Sequence, residues 1–426
     1  MRGKGEGAIF KDGRGLWTAT VELPQLDGTR RRKTIRSKDK ATVIRKLTAM
    51  KAQLAEHGDL PTAGETTEKW LRAWFESIAL KKIRPKTAAT YRTLLEQHII
   101  PAIGRVRLDQ LTPAHVRRMT SSITDKGLSS TTANQAHRIL AVALKYAERE
   151  GRINRNVALL TDAPRRSPTE LKVLTAEQGI EVLHTVAGDR LGSRVAAALL
   201  SAARQGEILG LEIDRVTDSL DLSWQLQRIT WEHGCPTPCG AKRGAECPER
   251  KITAPQDWEH RYLEGGLWLS RPKSEAGTRI IPLVDPLRSL IELRIAEAAR
   301  EPNPHGLVWT AEPKAQRNGH GGAILTGAPT DPRDDNAYWH AVLKRAEVTD
   351  VRLHDARHTA VDMLYAAGVP EHIIIQIVGH STVMQSRAYK SRSRQHQPQL
   401  VDAMKRLAAE FTRPVDARSG RREVAS

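Results

Sequence analysis

Residues 353–358 read Leu-His-Asp-Ala-Arg-His, and residues 379–389 read Gly-His-Ser-Thr-Val-Met-Gln-Ser-Arg-Ala-Tyr; no other part of the chain constrains the fold as tightly. His354 and Arg357 stand three residues apart, so a helix over Leu353 to Ala367 carries both on one face. That face presents an imidazole and a permanently charged planar guanidinium, a fork shaped for phosphate or carboxylate oxygens. Tyr389 follows His380 by nine residues. A second arginine lies far upstream in Ala203-Arg204-Gln205-Gly206-Glu207, behind an apolar helix from Val195 to Leu200. Between them, Arg271-Pro272-Lys273-Ser274 with Thr278 to Leu283 behind it reads as a β-hairpin presenting a lysine.

The rest of the chain narrows what such groups act on. With 426 residues it exceeds one compact core, and two to four domains are expected. Sixty-seven Lys+Arg against 49 Asp+Glu give a net charge of +18, a surplus that draws polyanions and speeds association with nucleic acid. Charge alone leaves open a basic protein that binds none. The richest apolar run, Val195 to Ala203, is only nine residues, well short of a membrane span. The basic N-terminus is not followed by a signal-peptide core, so a cytoplasmic location is expected. There is no Gly-x4-Gly-Lys-Ser/Thr phosphate loop, which argues against an ATP-driven DNA enzyme.

Patterning divides the chain. Residues 8–57 read as three strands and a helix: Asp12-Gly13 and Asp27-Gly28 mark hairpin turns around the alternating Trp17, Ala19, Val21 and Leu23. The strand after the second turn carries Arg30, Arg31, Arg32 and Lys33, which fit a major groove or, equally, a solvated basic hairpin. Val43, Leu47, Met50 and Leu54 then fall at helical spacing. After a linker at 57–66 comes an all-helical stretch, with Trp70, Trp74 and Ile78 on one face, Pro113 at a helix start, Ser129 or Ser130 before a long helix, and Gly151 ending it. A second linker spans Thr161 to Thr169, and beyond it helices surround short strand candidates, among them Arg279 to Leu283 and Gly306 to Trp309.

Taken in order, the Arg followed by Gly-Glu, the lysine, the His-x-x-Arg, the Gly-His and the Tyr nine residues after that His resemble the active-site signature of the tyrosine recombinase, or phage integrase, family. Leu353 before His354, Thr359-Ala360 after His358, and Ala366-Ala367-Gly368-Val369 before Gly379-His380 agree with it. The resemblance is strong over 170–410, looser over the helical region, and extends to an AP2-like module at the N-terminus. It implies a multidomain α+β fold. Residues 1–60 would be an arm-type DNA-binding domain, 65–162 a helical core-DNA-binding (SAM-like) domain, 170–410 a mostly helical catalytic domain with a small sheet, and 411–426 a basic, disordered tail.

The same resemblance implies roles. Arg204 and Arg357 would clamp the scissile phosphate, His354 assist proton transfer, His380 donate to a phosphate oxygen, Lys273 protonate the leaving 5′ oxygen, and Tyr389 attack phosphorus. Glu207 would orient Arg204 or cap the local turn. Charge stabilisation and positioning are what phosphoryl chemistry needs most, so this set requires neither ATP nor a metal, and no cofactor is expected. The implied partners are double-stranded attachment-site DNA, three further copies in a tetramer working through a Holliday junction, and excisionase or DNA-bending accessory proteins, with no membrane. Val401, Met404 and Leu407 at helical spacing suggest a helix that docks on a neighbouring protomer. A chromosome-dimer resolvase, a type IB topoisomerase and a non-catalytic DNA-binding regulator are the competing readings; the N-terminal module and the five intact elements favour an integrase.

All three cysteines fall in an insertion between Arg204 and Lys273, as His233-Gly-Cys235-x3-Cys239-x7-Cys247. Four potential ligands in fifteen residues suit a structural zinc, although the spacing is not the common Cys-x2-Cys and a loop of reduced cysteines fits as well.

Overall fold

The alternating run beginning at Trp17 forms the middle strand of an antiparallel sheet. The computed structural model describes residues 9–26, 29–57, 64–167, 172–272, 277–313, 323–379 and 397–412. In it, β1 (Ile9–Lys11), β2 (Trp17–Leu26) and β3 (Thr29–Ser37) lie in the order β1-β2-β3. Asp12 builds the first turn: its Oδ1 accepts the backbone N–H groups of Arg14 and Leu16, each at 3.0 Å, and Gly15 takes φ 77°. Helix α1 (Lys40–His57) starts after Asp39, whose Oδ2 accepts the Thr42 N–H at 2.8 Å. It packs Val43 and Leu47 on Ala19, Val21 and Ile35.

This sheet also divides the basic strand. Side chains alternate between faces along β3, so Ile35 is buried while Arg32 and Arg36 point outward. Arg32 pairs across the sheet with Glu22 (3.3 Å), and Lys33 lies on the Ile35 face, opposite Val21. Arg32 and Lys33 therefore lie on opposite faces of the sheet; the side chains of Arg30 and Arg31 lie outside the described set.

The chain forms two compact units, Met1–Thr169 with Thr253–Gln256, and Glu170–Ile252 with Asp257–Ser426. In the first, the helical stretch consists of α2 (Thr67–Trp74), α3 (Pro85–Leu94), α4 (Ile100–Ile103), α5 (Pro113–Asp125) and α6 (Ser130–Arg149). Helices α2 and α3 each run on into a π-helical turn, at Phe75–Ala79 and Leu95–Ile99. The starts are chemically specified. Thr66 and Ser129 accept N–H groups two to three residues into α2 and α6, and α5 opens on Pro113 with a Thr112–His115 capping box. Gly151 ends α6 with φ 67°. Trp70 and Trp74 bury their rings in a core with Leu140 and Leu144, and the Trp70 indole N–H donates to the Ala143 carbonyl (3.1 Å). Truncating Leu140, which is wholly buried, to Ala should destabilise this unit by about 2–5 kcal/mol through lost burial and a cavity. Hydrogen exchange of the α6 amides, followed by mass spectrometry, should accelerate accordingly, and unchanged protection would count against this packing.

The second unit is organised around α8 (Gly192–Leu200), which the other helices enclose. Preceding it is α7 (Ala176–Thr185); after it come α9 (Gln205–Leu209), β4 (Ser219–Asp221), β5 (Gln225–Arg228), β6 (His260–Tyr262), β7 (Leu267–Ser270) and β8 (Ile280–Pro282). Helices α10 (Leu287–Ala298), α11 (Pro332–Arg345), α12 (Leu353–Ala366), α13 (Glu371–Val378) and α14 (Gln397–Glu410) complete it. Val195 to Leu200 are all buried, as a small-residue helix with apolar residues on every side must be. The mixed, mainly helical α+β architecture expected from the sequence is the one observed.

Two local expectations are corrected. The segments on either side of Lys273 do not pair as a hairpin. Strand β7 is central, with β5 on one edge and β6 on the other, so neither edge is left for β8, which pairs with β4 instead. The Lys273 segment therefore connects two sheets, and Lys273 itself lies outside the described residues. Gly306 to Trp309 is not a strand either: it makes a single bridge at Leu307 to Glu212, and Trp309 buries its ring and donates to Ser193 Oγ (2.9 Å). Helix α14 packs on its own unit: Met404, Leu407 and Phe411 enter the same core as α8, α12 and α13, and Phe411 lies against Gly179, where any Cβ would meet its ring at 2.6 Å.

Candidate active site

Between α8 and α9 the chain turns sharply, and this turn sets Arg204. Ala202 adopts φ 50°, an uncommon conformation for a residue with a Cβ, and its carbonyl accepts Arg357 Nη1 at 2.8 Å. Gln205 anchors the start of α9 from the other side, donating to Pro332 O and to Asp335 Oδ2, each at 2.7 Å. Asp335 is in turn ion-paired with the buried Arg194 of α8. Arg204 caps α9 in an unusual way: its backbone N–H donates to Glu207 Oε2 and its Nη1 to Glu207 Oε1, both at 2.7 Å.

Glu207 is the hub. Its side chain is 1% exposed, and besides Arg204 it accepts Nη1 and Nη2 of Arg279 at 2.9 and 2.7 Å. Four donors fill the acceptor sites of one carboxylate. Burial pushes its pKa up, but Arg279 and Arg204 outweigh that and hold it below the ordinary carboxyl value. Glu207 thus serves both as cap and as positioner, and it has no room to react.

The guanidiniums also close the end of α13. Arg279 Nε donates to the Ile377 carbonyl (2.7 Å), Arg357 Nη2 to that of Val378, and Arg204 Nη2 to that of Gly379 (3.1 Å). These consecutive carbonyls lie at the helix C-terminus, where acceptors are left over and the dipole favours cations. Gly379 ends the helix with φ 66°, a conformation that suits glycine, and the next residue is His380. Two arginines therefore share one carboxylate, and all three share one helix end. Burial first, then Arg204 and Arg279, works against the charge on Arg357, yet a guanidinium stays protonated in proteins. An anion bound here relieves that mutual repulsion. Arg357 and Arg279 are buried, whereas the Arg204 side chain is 35% exposed and is the member that meets solvent.

Helix α12 brings His354 and Arg357 to one face. The His354 ring is T-shaped to His358, with centroids 5.3 Å apart, and Asp355 is turned away into a two-bond ion pair with Arg352, at 2.9 Å each. Although His354 reaches the surface, desolvation, then His358 and Arg357, lower its pKa from the ordinary 6.5. It should titrate below that value in NMR spectra. Sign follows from direction: the folded state disfavours the imidazolium, so stability is full at neutral pH and falls as pH drops through 6.5. A His354→Asn variant should lack this acid-side loss, and a midpoint above 6.5 in the native protein would contradict the assignment.

The structure thus unites Arg204, Glu207, His354 and Arg357, and adds Arg279. Sequence reading had placed Arg279 only as the start of a strand; the sole signal for more was an arginine heading Ile280-Ile281-Pro282 directly behind the lysine segment. Lys273, His380 and Tyr389 lie outside the described residues. His233, Cys235, Cys239 and Cys247 converge in the insertion between β5 and β6. Among the described residues no helix is long and apolar enough to cross a membrane.

Comparison with known proteins identifies the family. Residues 66–123 match the phage integrase N-terminal SAM-like domain, and residues 257–396 match the phage integrase family. An integrase of Saccharopolyspora erythraea is 32% identical over 415 residues, covering 90% of this chain and 92% of that protein. An integrase of Streptomyces ambofaciens is 24% identical over 406 residues, 92% of this chain and 94% of that one. The Tn1549 transposon integrase, solved in complex with transposon right end DNA, superposes with a TM-score of 0.57 at 18% identity, covering 80% of this chain and 99% of that one, a likeness of fold. On this descent, fold and constellation, the chain belongs to the phage integrase family of tyrosine recombinases and is a site-specific integrase, an enzyme that recombines DNA.

Proposed function

We propose that this integrase cuts and rejoins attachment-site DNA with Tyr389 as nucleophile and with Arg204 and Arg357 holding the scissile phosphate. The observation that carries this reading is the cluster of Arg204, Arg279 and Arg357 around Glu207, a cationic pocket with less negative charge than positive. The Tyr389 hydroxyl oxygen attacks phosphorus, and the bond from phosphorus to the 5′ oxygen breaks. The 5′ oxygen leaves with a proton from Lys273, and His354, uncharged at neutral pH, helps carry the phenol proton away. His380 donates to a phosphate oxygen. The 3′-phosphotyrosyl bond conserves the energy of the broken phosphodiester, so a 5′ hydroxyl from the partner duplex reseals it without ATP. The guanidiniums supply the charge stabilisation a metal would otherwise give, so strand transfer needs no divalent ion.

In the same reading residues 170–410 form the catalytic domain and 65–162 grip the core site. Residues 1–60 bind arm sites through the basic strand Arg30 to Lys33. The enzyme acts as a tetramer on two duplexes in the bacterial cytoplasm, with accessory proteins directing excision of the mobile element. The Tn1549 integrase, solved with its own transposon end, supports the choice of DNA as substrate. The test is covalent trapping. A duplex carrying the element's junction with flanking DNA, nicked beside the cleavage position so that the released 5′ end diffuses away, should accumulate protein–DNA adduct in chelator as well as in magnesium. Absence of adduct on every junction duplex would sink the proposal.

A further inference from the structure

We propose that His233, Cys235, Cys239 and Cys247 form a structural zinc site in the insertion between β5 and β6. The inference is independent of how the active site works. One ligand atom from each residue lies within 4.8 Å of all the others. Two of the six separations match the edges of a tetrahedral centre. Zinc bonds of about 2.3 Å to sulfur and about 2.0 Å to nitrogen set the edges at about 3.7 Å between sulfurs and about 3.5 Å between sulfur and nitrogen. Cys247 Sγ and Cys235 Sγ are 3.6 Å apart, and Cys239 Sγ lies 3.4 Å from His233 Nδ1. A disulfide, with sulfurs about 2.05 Å apart, is not what this geometry holds, and all three cysteines are free.

The surrounding backbone is built to bring the four together. Gly234 passes so close to Glu249 that a Cβ would lie 2.0 Å from its carbonyl oxygen, and Gly244 stands likewise 2.1 Å from that of Trp231. The Glu232–Lys251 bridge closes the loop behind them, and the Cys247 N–H donates to Gly244 O at 3.1 Å. After Cys239 the chain reverses through Gly240 at φ 76°. Between Ile229 and Glu259, only Ile229, Cys247 and Trp258 count among the buried apolar residues. So small a core does not hold an excursion of this length unaided, and small modules in that position use a metal or disulfides. Four protein ligands leave no open position, which marks the site as structural rather than catalytic. Its place in the fold explains its use. The insertion joins β5 to β6, the two partners of β7, and β7 leads straight into Arg271-Pro272 and the Lys273 segment.

The full-length protein, purified without added metal under reducing conditions, should contain about one zinc per chain by plasma mass spectrometry. After chelation and addition of cobalt(II), it should show a thiolate-to-cobalt charge-transfer band and the intense red d–d bands of tetrahedral coordination. Zinc should bleach both at one equivalent. Cys235→Ser and Cys247→Ser should each lose stoichiometric zinc, whereas His233→Cys should keep it as a four-cysteine site. Chelation should also speed proteolysis within 229–259. A wild-type chain without zinc whose cobalt form shows only weak octahedral bands overturns the proposal, as does full zinc retention by both serine variants. The cobalt experiment uses wild-type protein, so a variant that fails to fold does not obscure it.

Discussion

Tyr389→Phe should abolish covalent attachment to DNA while leaving DNA binding unchanged. Phenylalanine keeps the ring and removes the one atom that attacks phosphorus, so the loss should be on the order of 10⁴-fold or more, the scale seen when a covalent nucleophile is removed. Affinity should stay within about twofold, because it rests on phosphate contacts from lysines and arginines distributed over the chain. The readouts are a denaturing gel of the nicked-junction reaction and a parallel mobility shift at matched salt. Adduct formation by the Phe variant would assign the nucleophile elsewhere. Tyr338 and Tyr365 serve as internal contrasts: Tyr338 donates to Asp189 Oδ2 at 2.6 Å, and Tyr365 sits exposed on α12. Tyr365→Phe should cleave normally.

Glu207→Gln should be the most destabilising single change in the second unit. The native carboxylate, itself buried, accepts two bonds from Arg204 and two from Arg279. An amide keeps one acceptor oxygen and turns an NH₂ toward a donor, leaving buried guanidiniums without their counter-charge. Breaking a buried pair in this way costs about 3–5 kcal/mol. Since Arg204, Arg279 and Arg357 also hold the carbonyls of Ile377, Val378 and Gly379, the damage should spread to the end of α13, immediately before His380. Chemical denaturation should show the loss. Sulfate or DNA should restore more stability to the variant than to the native protein, because an anion replaces the missing charge. Equal stabilisation of both would mean that the cluster does not take up phosphate. The native pair adds a pH signature: a carboxyl held below its ordinary value contributes stability above pH ~4.5 that is lost on further acidification, and Glu207→Gln should lack it.

Much of this was legible in the residues. Alternation at Trp17 to Leu23, the caps at Ser129 and Pro113, and the three-residue offset of His354 and Arg357 are local, and local rules place them. The three-residue offset paired His354 with Arg357, and the resemblance to the tyrosine recombinase signature added Arg204 to them. The errors came where the partner of an element is chosen at a distance. Thr278 to Leu283 has the composition of a strand, but which strand it joins depends on whether β7 has a free edge, and β5 and β6 occupy both. The face of α14 was visible as Met404 and Leu407, yet which core it enters is decided by the space left around Gly179 and α8. Arg32 and Lys33 are neighbours in sequence, yet the pleat sends them to opposite faces of the sheet.

What the sequence by itself determined is the inventory: helices, strands, the phosphate-seeking arginines and a cysteine–histidine cluster, all set by short-range stereochemistry and side-chain type. Only the tertiary structure decided how they are wired. Arg279, 72 residues from Glu207 in the chain, completes a buried ionic hub because desolvated charges must find partners wherever the fold brings them. The three guanidiniums close on Ile377, Val378 and Gly379 because a helix end presents carbonyls no residue type announces. The order of residue types and its resemblance to a known signature named members of the site; burial and hydrogen-bond demand, which exist only once the chain is folded, assigned each its neighbour.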